Sequence, residues 1–277
     1  MMILLIFTLI SFITANVKSL TVTGYYGGTV IIYCHYSVKD KSNNKYFCKG
    51  PEYIMHCEDK ITTDNTNSWQ HSGRFSLYES TEGNYFRVFI RQLTRQDEGT
   101  YWCGVDKPAV LGSYTKVELE VKEDECCNKS VTETAYLGEE AKIICNYPKK
   151  YRTSVKYFCK ETHENDCKYM ISVPIYIKHG RYTLSSKRTE RSYTVTISDL
   201  TEDDTGTYWC GVEQEENYTA LTTQVQLLVK PTKAKRQTGL PTIPSVSSSS
   251  MSLSSSSLNG QGTTKFIMVS MWLCYFW

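Results

Sequence analysis

The sequence predicts an all-β protein: two tandem sandwiches of half-buried strands followed by a disordered stalk. Three observations lead there. One cysteine framework occurs twice, its members displaced by 107 to 111 residues. Within each copy apolar residues alternate with period two, and no helical period is sustained. After Val229 the composition turns abruptly to serine, threonine and proline, which cannot bury a core.

The chain opens on an uncharged apolar run from Met2 to Ile13 that gives way to Asn16-Val17-Lys18. Such a run is too short to cross a bilayer, and a small residue at Ala15 or Ser19 suits signal peptidase. Residues 1–19 are therefore expected to be a secretory signal peptide. Export passes the chain through an oxidising compartment, so its 11 cysteines are read as disulfide partners. Zinc has no comparable support. His56 beside Cys57 and His163 near Cys167 do not occupy equivalent places, and no pair of close Cys-x-x-Cys knuckles repeats. No metal or cofactor is expected. The formal net charge of +2 comes without a basic stripe interleaved with aromatics, which leaves no basis for nucleic-acid binding.

The repeat sets two domains, expected over 20–122 and 123–230. Cys34 recurs as Cys145, Cys48 as Cys159, Cys57 as Cys167 and Cys103 as Cys210. Whole segments accompany them: Lys45-Tyr46-Phe47-Cys48-Lys49 returns as Lys156-Tyr157-Phe158-Cys159-Lys160, Gly73-Arg74-Phe75 as Gly180-Arg181-Tyr182, and Asp97 to Val105 as Asp204 to Val212. Two copies of this size make two domains rather than a solenoid. Val30, Ile32 and Cys34 alternate with exchangeable neighbours, as do Ala141, Ile143 and Cys145. Phe86, Val88 and Ile90 match Tyr193, Val195 and Ile197, and Val117, Leu119 and Val121 match Val225, Leu227 and Val229.

These strands and cysteines fit sandwiches of the variable immunoglobulin type. Cys34 with Cys103, and Cys145 with Cys210, lie on strands that face each other across a sandwich. Each bridge closes about seventy residues, worth roughly 4 kcal/mol in the chain-entropy model. Tyr101 and Tyr208, two residues before the second cysteine, fit the tyrosine corner. Arg74 with Asp97, and Arg181 with Asp204, are read as structural ion pairs. A catalytic role for those carboxylates has no support, because no histidine or second acid accompanies them in both copies, and no enzyme activity is expected. A second cysteine pair, Cys48 with Cys57 and Cys159 with Cys167, closes a short loop just after the third core strand and staples the turn there.

At these residues the chain resembles the polymeric immunoglobulin receptor and CMRF-like leukocyte receptor family. The resemblance runs from Leu20 to Lys230, through both copies, and rests on the four cysteines in register and on Tyr-Trp-Cys-Gly-Val at 101–105 and 208–212. It implies the extra disulfide that family members share and an immune receptor ectodomain on the extracellular side of the plasma membrane. The output would be recognition of a protein ligand, immunoglobulin among the candidates. Two positions depart from the pattern. Phe47 and Phe158 stand where a core tryptophan is usual, and no basic loop matches the immunoglobulin-binding loop of the polymeric receptor.

Outside the framework, Cys126 and Cys127 are adjacent in the linker. A disulfide between neighbours is strained, which leaves separate partners or a bridge between chains as the alternatives. Asn128 and Asn217 head glycosylation sequons. Ligand contacts are expected in the loop after each Tyr-Trp-Cys-Gly-Val. In the first copy that loop starts at Asp106 and carries an apolar tip, Ala109, Val110 and Leu111. The tip suits an apolar or phospholipid partner, or alternatively packs down on the domain; the second copy's loop is acidic. Residues 231–265 form the stalk, where Lys233-Ala234-Lys235-Arg236 reads as a solvated charge run. The apolar tail 266–277 falls short of a bilayer span, so it reads as the start of a transmembrane helix, a lipid-anchor signal, or the end of a secreted form. No cytoplasmic signalling motif can be read, so signalling would need an adaptor chain or another isoform.

Overall fold

The computed structural model describes residues 18–232 apart from 52–56, 64–67, 81–82, 107–113, 128, 165, 174–176, 188 and 215–216. The stalk from residue 233 and the apolar tail lie outside the described residues. Among the described residues no helix is long and apolar enough to cross a membrane.

The first sandwich contains β1 (Lys18–Tyr25), β2 (Thr29–His35), β3 (Lys45–Lys49), β4 (Glu58–Thr62), β5 (Gln70–Ser72), β6 (Phe75–Glu79), β7 (Tyr85–Ile90), β8 (Gly99–Val105) and β9 (Tyr114–Lys122). The second contains β10 (Lys129–Tyr136), β11 (Ala141–Asn146), β12 (Val155–Glu161), β13 (Cys167–Val173), β14 (Lys178–His179), β15 (Tyr182–Lys187), β16 (Ser192–Ile197), β17 (Gly206–Gln214) and β18 (Tyr218–Lys230). In the first, the sheet β1-β9-β8-β3-β4 faces β2-β7-β6-β5; in the second, β10-β18-β17-β12-β13 faces β11-β16-β15-β14. β1 runs parallel to β9, and β10 parallel to β18.

The period-two pattern explains the core. Val30, Ile32, Cys34, Phe86, Val88, Ile90, Val117, Leu119 and Val121 are all buried, as are Ala141, Ile143, Cys145, Tyr193, Val195, Ile197, Val225 and Leu227. Cys34 is joined to Cys103 with their Cα atoms 5.8 Å apart, and Cys145 to Cys210 at 5.6 Å, each bridge tying one sheet to the other. Phe47 occupies the space beside its bridge and stacks on Tyr101 at 5.0 Å; Phe158 does the same against Tyr208 at 5.3 Å. A flat ring of either kind fills that layer, which is why the phenylalanines preserve the fold. The Tyr101 and Tyr208 hydroxyls donate to the backbone oxygens of Asp97 and Asp204, each at 2.8 Å.

A feature the sequence reading missed lies in the first residue of the repeated Lys-Tyr-Phe-Cys segment. Lys45 and Lys156 are buried, where alternation alone would treat them as solvated. The Lys45 ammonium donates to the backbone oxygens of Lys41 and Asn43, meets Glu79 at 2.9 Å and sits over the Tyr36 ring. That of Lys156 donates to the oxygens of Tyr151, Arg152 and Ser154 and sits over the Tyr147 ring. A buried ammonium is tolerated only when its donors are used up, and here they gather the loop that precedes the third core strand.

Replacing Cys34 and Cys103 together by alanine should lower the unfolding free energy by about 4 kcal/mol. Urea denaturation followed by tryptophan fluorescence measures this; a loss below about 1 kcal/mol would mean that the bridge does not constrain the unfolded chain as its loop length requires.

Candidate functional site

In each sandwich the sheet that ends in the extra bridge presents an aromatic outer face. Cys48 is bridged to Cys57 at a Cα distance of 5.6 Å, and Cys159 to Cys167 at 5.3 Å. The ladder slips by one residue at the same place in both copies, between Phe47 and Cys48 and between Phe158 and Cys159. Strand alternation after the core residues Phe47 and Phe158 turns the bridged cysteine outward beside its cross-strand neighbour, Trp102 in the first copy and Trp209 in the second. The Trp102 indole donates to the Pro51 backbone oxygen at 3.2 Å and meets Tyr114 edge-on, whereas that of Trp209 donates to Glu161 at 3.2 Å.

The two faces then diverge. On the first sandwich Tyr46 lies flat over Gly104, where a side-chain carbon would stand only 2.1 Å from the ring. Burial, with Asp106 and Asp59 nearby, pushes the Tyr46 phenol up to about 12. Asp106 is exposed, and its backbone N–H donates to the Asn44 oxygen at 2.8 Å, which anchors the root of the loop. Ala109, Val110 and Leu111 fall outside the described residues, as does Asn128. Among the described residues no cluster of histidine, cysteine and carboxylate side chains could hold a metal.

On the second sandwich the equivalent face is covered by the first. β18 pairs antiparallel with β2 through Tyr218–Ile32, Thr219–Ile31, Ala220–Val30 and Leu221–Thr29, so the two sandwiches share one continuous sheet. The Tyr33 N–H donates to the Asn217 backbone oxygen at 2.9 Å, placing the second sequon at this junction. Ile31 and Phe89, which alternation points outward, are each 1% exposed because they pack on Tyr157, Leu221 and the Cys159–Cys167 bridge. Arg87 closes the contact with two parallel hydrogen bonds to Asp166, at 3.0 and 3.2 Å, and its guanidinium also lies against the rings of Trp69, Tyr78 and Phe89. Gly28 permits the close approach: a side-chain carbon there would stand 2.5 Å from the Leu221 oxygen.

Sequence reading did not find this contact, yet a signal was present. The outward positions of the paired strands differ between copies, Ile31, Arg87 and Phe89 against Lys142, Thr194 and Thr196. A duplicated strand that carries arginine and phenylalanine where its twin carries threonine has something to cover it.

The ion pairs at the opposite end are alike in both copies. Arg74 holds Asp97 by two hydrogen bonds at 2.8 and 2.7 Å, and Arg181 holds Asp204 at 2.7 and 2.8 Å. Arg74 also donates to the Arg91 and Gln92 oxygens, and Arg181 to those of Ser198 and Asp199. Burial alone would raise both carboxyls, but the arginines and the Thr94 and Thr201 donors outweigh it and hold them below the usual carboxylate range. These groups brace a turn and offer no reactive centre.

Paired sheets with an inter-sheet bridge, a tyrosine corner and a braced turn, present twice, define a tandem variable-type immunoglobulin ectodomain. The immunoglobulin V-set domain model matches residues 17–122 and 129–230, and the chain belongs to that family. It is homologous to the polymeric immunoglobulin receptor and to CMRF35-like molecule 2, and so to immune receptors of the immunoglobulin superfamily. The mouse polymeric immunoglobulin receptor is 31% identical over 203 residues, covering 71% of this chain and 26% of the relative. The human CMRF35-like molecule 2 is 32% identical over 96 residues, covering 35% of this chain and 46% of the relative. The chain thus spans about a quarter of the length of the polymeric receptors it matches. Among solved structures, the teleost fish polymeric Ig receptor ectodomain is similar at 22% identity, covering 79% of this chain and 98% of that one, with a TM-score of 0.33.

Two outcomes follow. A carboxylate held below its unfolded value contributes stability that is complete above the unfolded value of about 3.9 and is lost as pH falls through the lowered one. Thermal midpoints measured from neutral pH down to about pH 2 should therefore fall more steeply for the native chain than for the Asp97→Asn, Asp204→Asn variant, which starts lower; parallel curves would remove these pairs from the acid response. Separately, Arg87→Ala and Asp166→Ala in a double-mutant cycle should show a coupling of about 1 kcal/mol. Each single change should speed hydrogen exchange at the Tyr33 amide while leaving the Val88 amide unchanged.

Proposed function

We propose that this chain is the ectodomain of an immune receptor that binds a protein ligand through the free outer face of its first sandwich and the loop rooted at Asp106. The observation that supports this is the asymmetry between the faces. The second sandwich turns Tyr157, Tyr169 and Trp209 toward the first, whereas the half-buried Tyr46 and Tyr114 have no second domain over them among the described residues, and the buried Trp102 supports Tyr114 edge-on. An aromatic face beside a rigid bridge is the composition of a binding centre, because large rings supply contact area at little entropic cost. The second sandwich then acts as a support that fixes the first. No enzyme activity is part of this reading.

The relatives' name makes an immunoglobulin the first ligand to test. A phospholipid partner at Ala109, Val110 and Leu111 is the competing reading from sequence, and extracellular display at the plasma membrane or release as a soluble form complete the assignment. The glycans proposed at Asn128 and Asn217 fit an exported chain.

Immobilised ectodomain should be screened against immunoglobulin classes and against phosphatidylserine and phosphatidylcholine vesicles. For the ligand it retains, Tyr46→Ala with Tyr114→Ala should weaken binding at least about tenfold, the cost of losing one anchoring ring, while Ile144→Asp on the far face of the second sandwich leaves it unchanged. Binding to vesicles alone that is abolished by Leu111→Asp would transfer the assignment to lipid, and a ligand insensitive to the tyrosine changes would overturn the proposed face.

A further inference from the structure

The junction between the sandwiches holds the two cysteines that the repeat does not explain. The turn begins at Asp124, whose carboxylate accepts the Cys126 N–H at 3.1 Å and whose backbone oxygen accepts the Cys127 N–H at 3.0 Å. These two bonds close a turn, and both cysteine side chains pack into the core cluster that contains Tyr25. Tyr25 in turn meets Tyr151 edge-on, and the Tyr151 hydroxyl is 3.5 Å from that of Tyr218. Cys127 is only 4% exposed and belongs to the core; Cys126 is half-buried.

These positions decide between the partners that the sequence leaves open. At 4% exposure Cys127 offers almost no surface to a thiol of another chain. Eight of the other cysteines are taken in pairs. Among the described residues the one thiol beside Cys127 is Cys126, and the one beside Cys126 is Cys127.

We propose that Cys126 and Cys127 close a disulfide with each other, forming a small ring that locks the turn between the sandwiches. The chemistry is a thiol–disulfide exchange. The two S–H bonds break, one S–S bond forms, and two protons and two electrons pass to a disulfide of the protein oxidoreductase class in the secretory pathway, which leaves as a dithiol. In the packed junction the hydrogen bond from Cys127, burial and the Asp124 carboxylate push the Cys126 thiol upward, which suppresses the attacking thiolate. Adjacent Cα atoms stand about 3.8 Å apart, closer than an ordinary bridge allows, so the ring is strained and more readily reduced than the other four. The junction becomes the redox-sensitive point of the ectodomain.

The test uses the full chain, expressed through a secretory pathway and purified without reductant, then denatured in iodoacetamide, freed of N-glycans and cut after lysine. The peptide Glu123–Lys129 carries both cysteines. It should emerge unlabelled and about 2 Da lighter than its dithiol, and take two labels after reduction. Two labels without reduction would overturn the proposal, as would a link from this peptide to a second copy or to the peptide containing Cys274. In Cys126→Ser, Cys127 should take a label after denaturation alone; if it stays unlabelled, it has another partner and the ring is wrong. Graded dithiothreitol should open Cys126 and Cys127 before the eight framework cysteines, and the reverse order would refute the strained ring as the sensitive point.

Discussion

Two bare strand edges meet where β2 hydrogen-bonds to β18, and most of what distinguishes this chain from a string of independent domains follows from that pairing. β1 is committed to β9 along its whole length, which leaves one edge of β2 without a neighbour in its own sandwich. β10 covers β18 only from Thr223 onward, leaving the edge from Tyr218 to Leu221 open. Exposed edges of this kind invite pairing with other chains. Here each satisfies the other, and Gly28 supplies the clearance that lets the backbones approach.

Once the edges pair, side-chain chemistry is constrained on both sides. Ile31 and Phe89 are brought onto the aromatic face of the second sandwich, and Arg87 reaches Asp166. The guanidinium is flanked by aromatic rings, so it gains quadrupole attraction beyond its ion pair. Duplication alone would have produced two equivalent domains. Divergence at three outward positions has instead made one a lid and the other a seat. The far sheet of the second sandwich lacks those residues and leaves Ile144 in solvent.

The sandwiches were legible in the sequence because the repeat and the period of two report the same thing twice. Cys34, Cys103 and the alternating valines and isoleucines can be placed without any three-dimensional information, since burial of one face is the condition that selects them. Arg74 and Asp97 were readable for a similar reason, as each has a twin at Arg181 and Asp204. Duplication marks the residues that the copies share, whereas the docking of one sandwich on the other depends on Ile31, Arg87 and Phe89, where the copies disagree. Lys45 and Lys156 were shared but unread, because a lysine is ordinarily assigned to solvent and its burial depends on backbone oxygens that only the folded loop assembles.

The covered face also imposes an order on biosynthesis. The first sandwich leaves the ribosome carrying Ile31 and Phe89, and Leu221, which shields them, is translated about 130 residues after Phe89. At roughly 5–20 residues per second that is an interval on the order of ten seconds, during which a complete domain presents an apolar patch and an unpaired strand. For that interval the nascent chain is a natural client for the chaperones of its compartment. A transcript truncated before the second sandwich would leave the patch uncovered for the lifetime of the product.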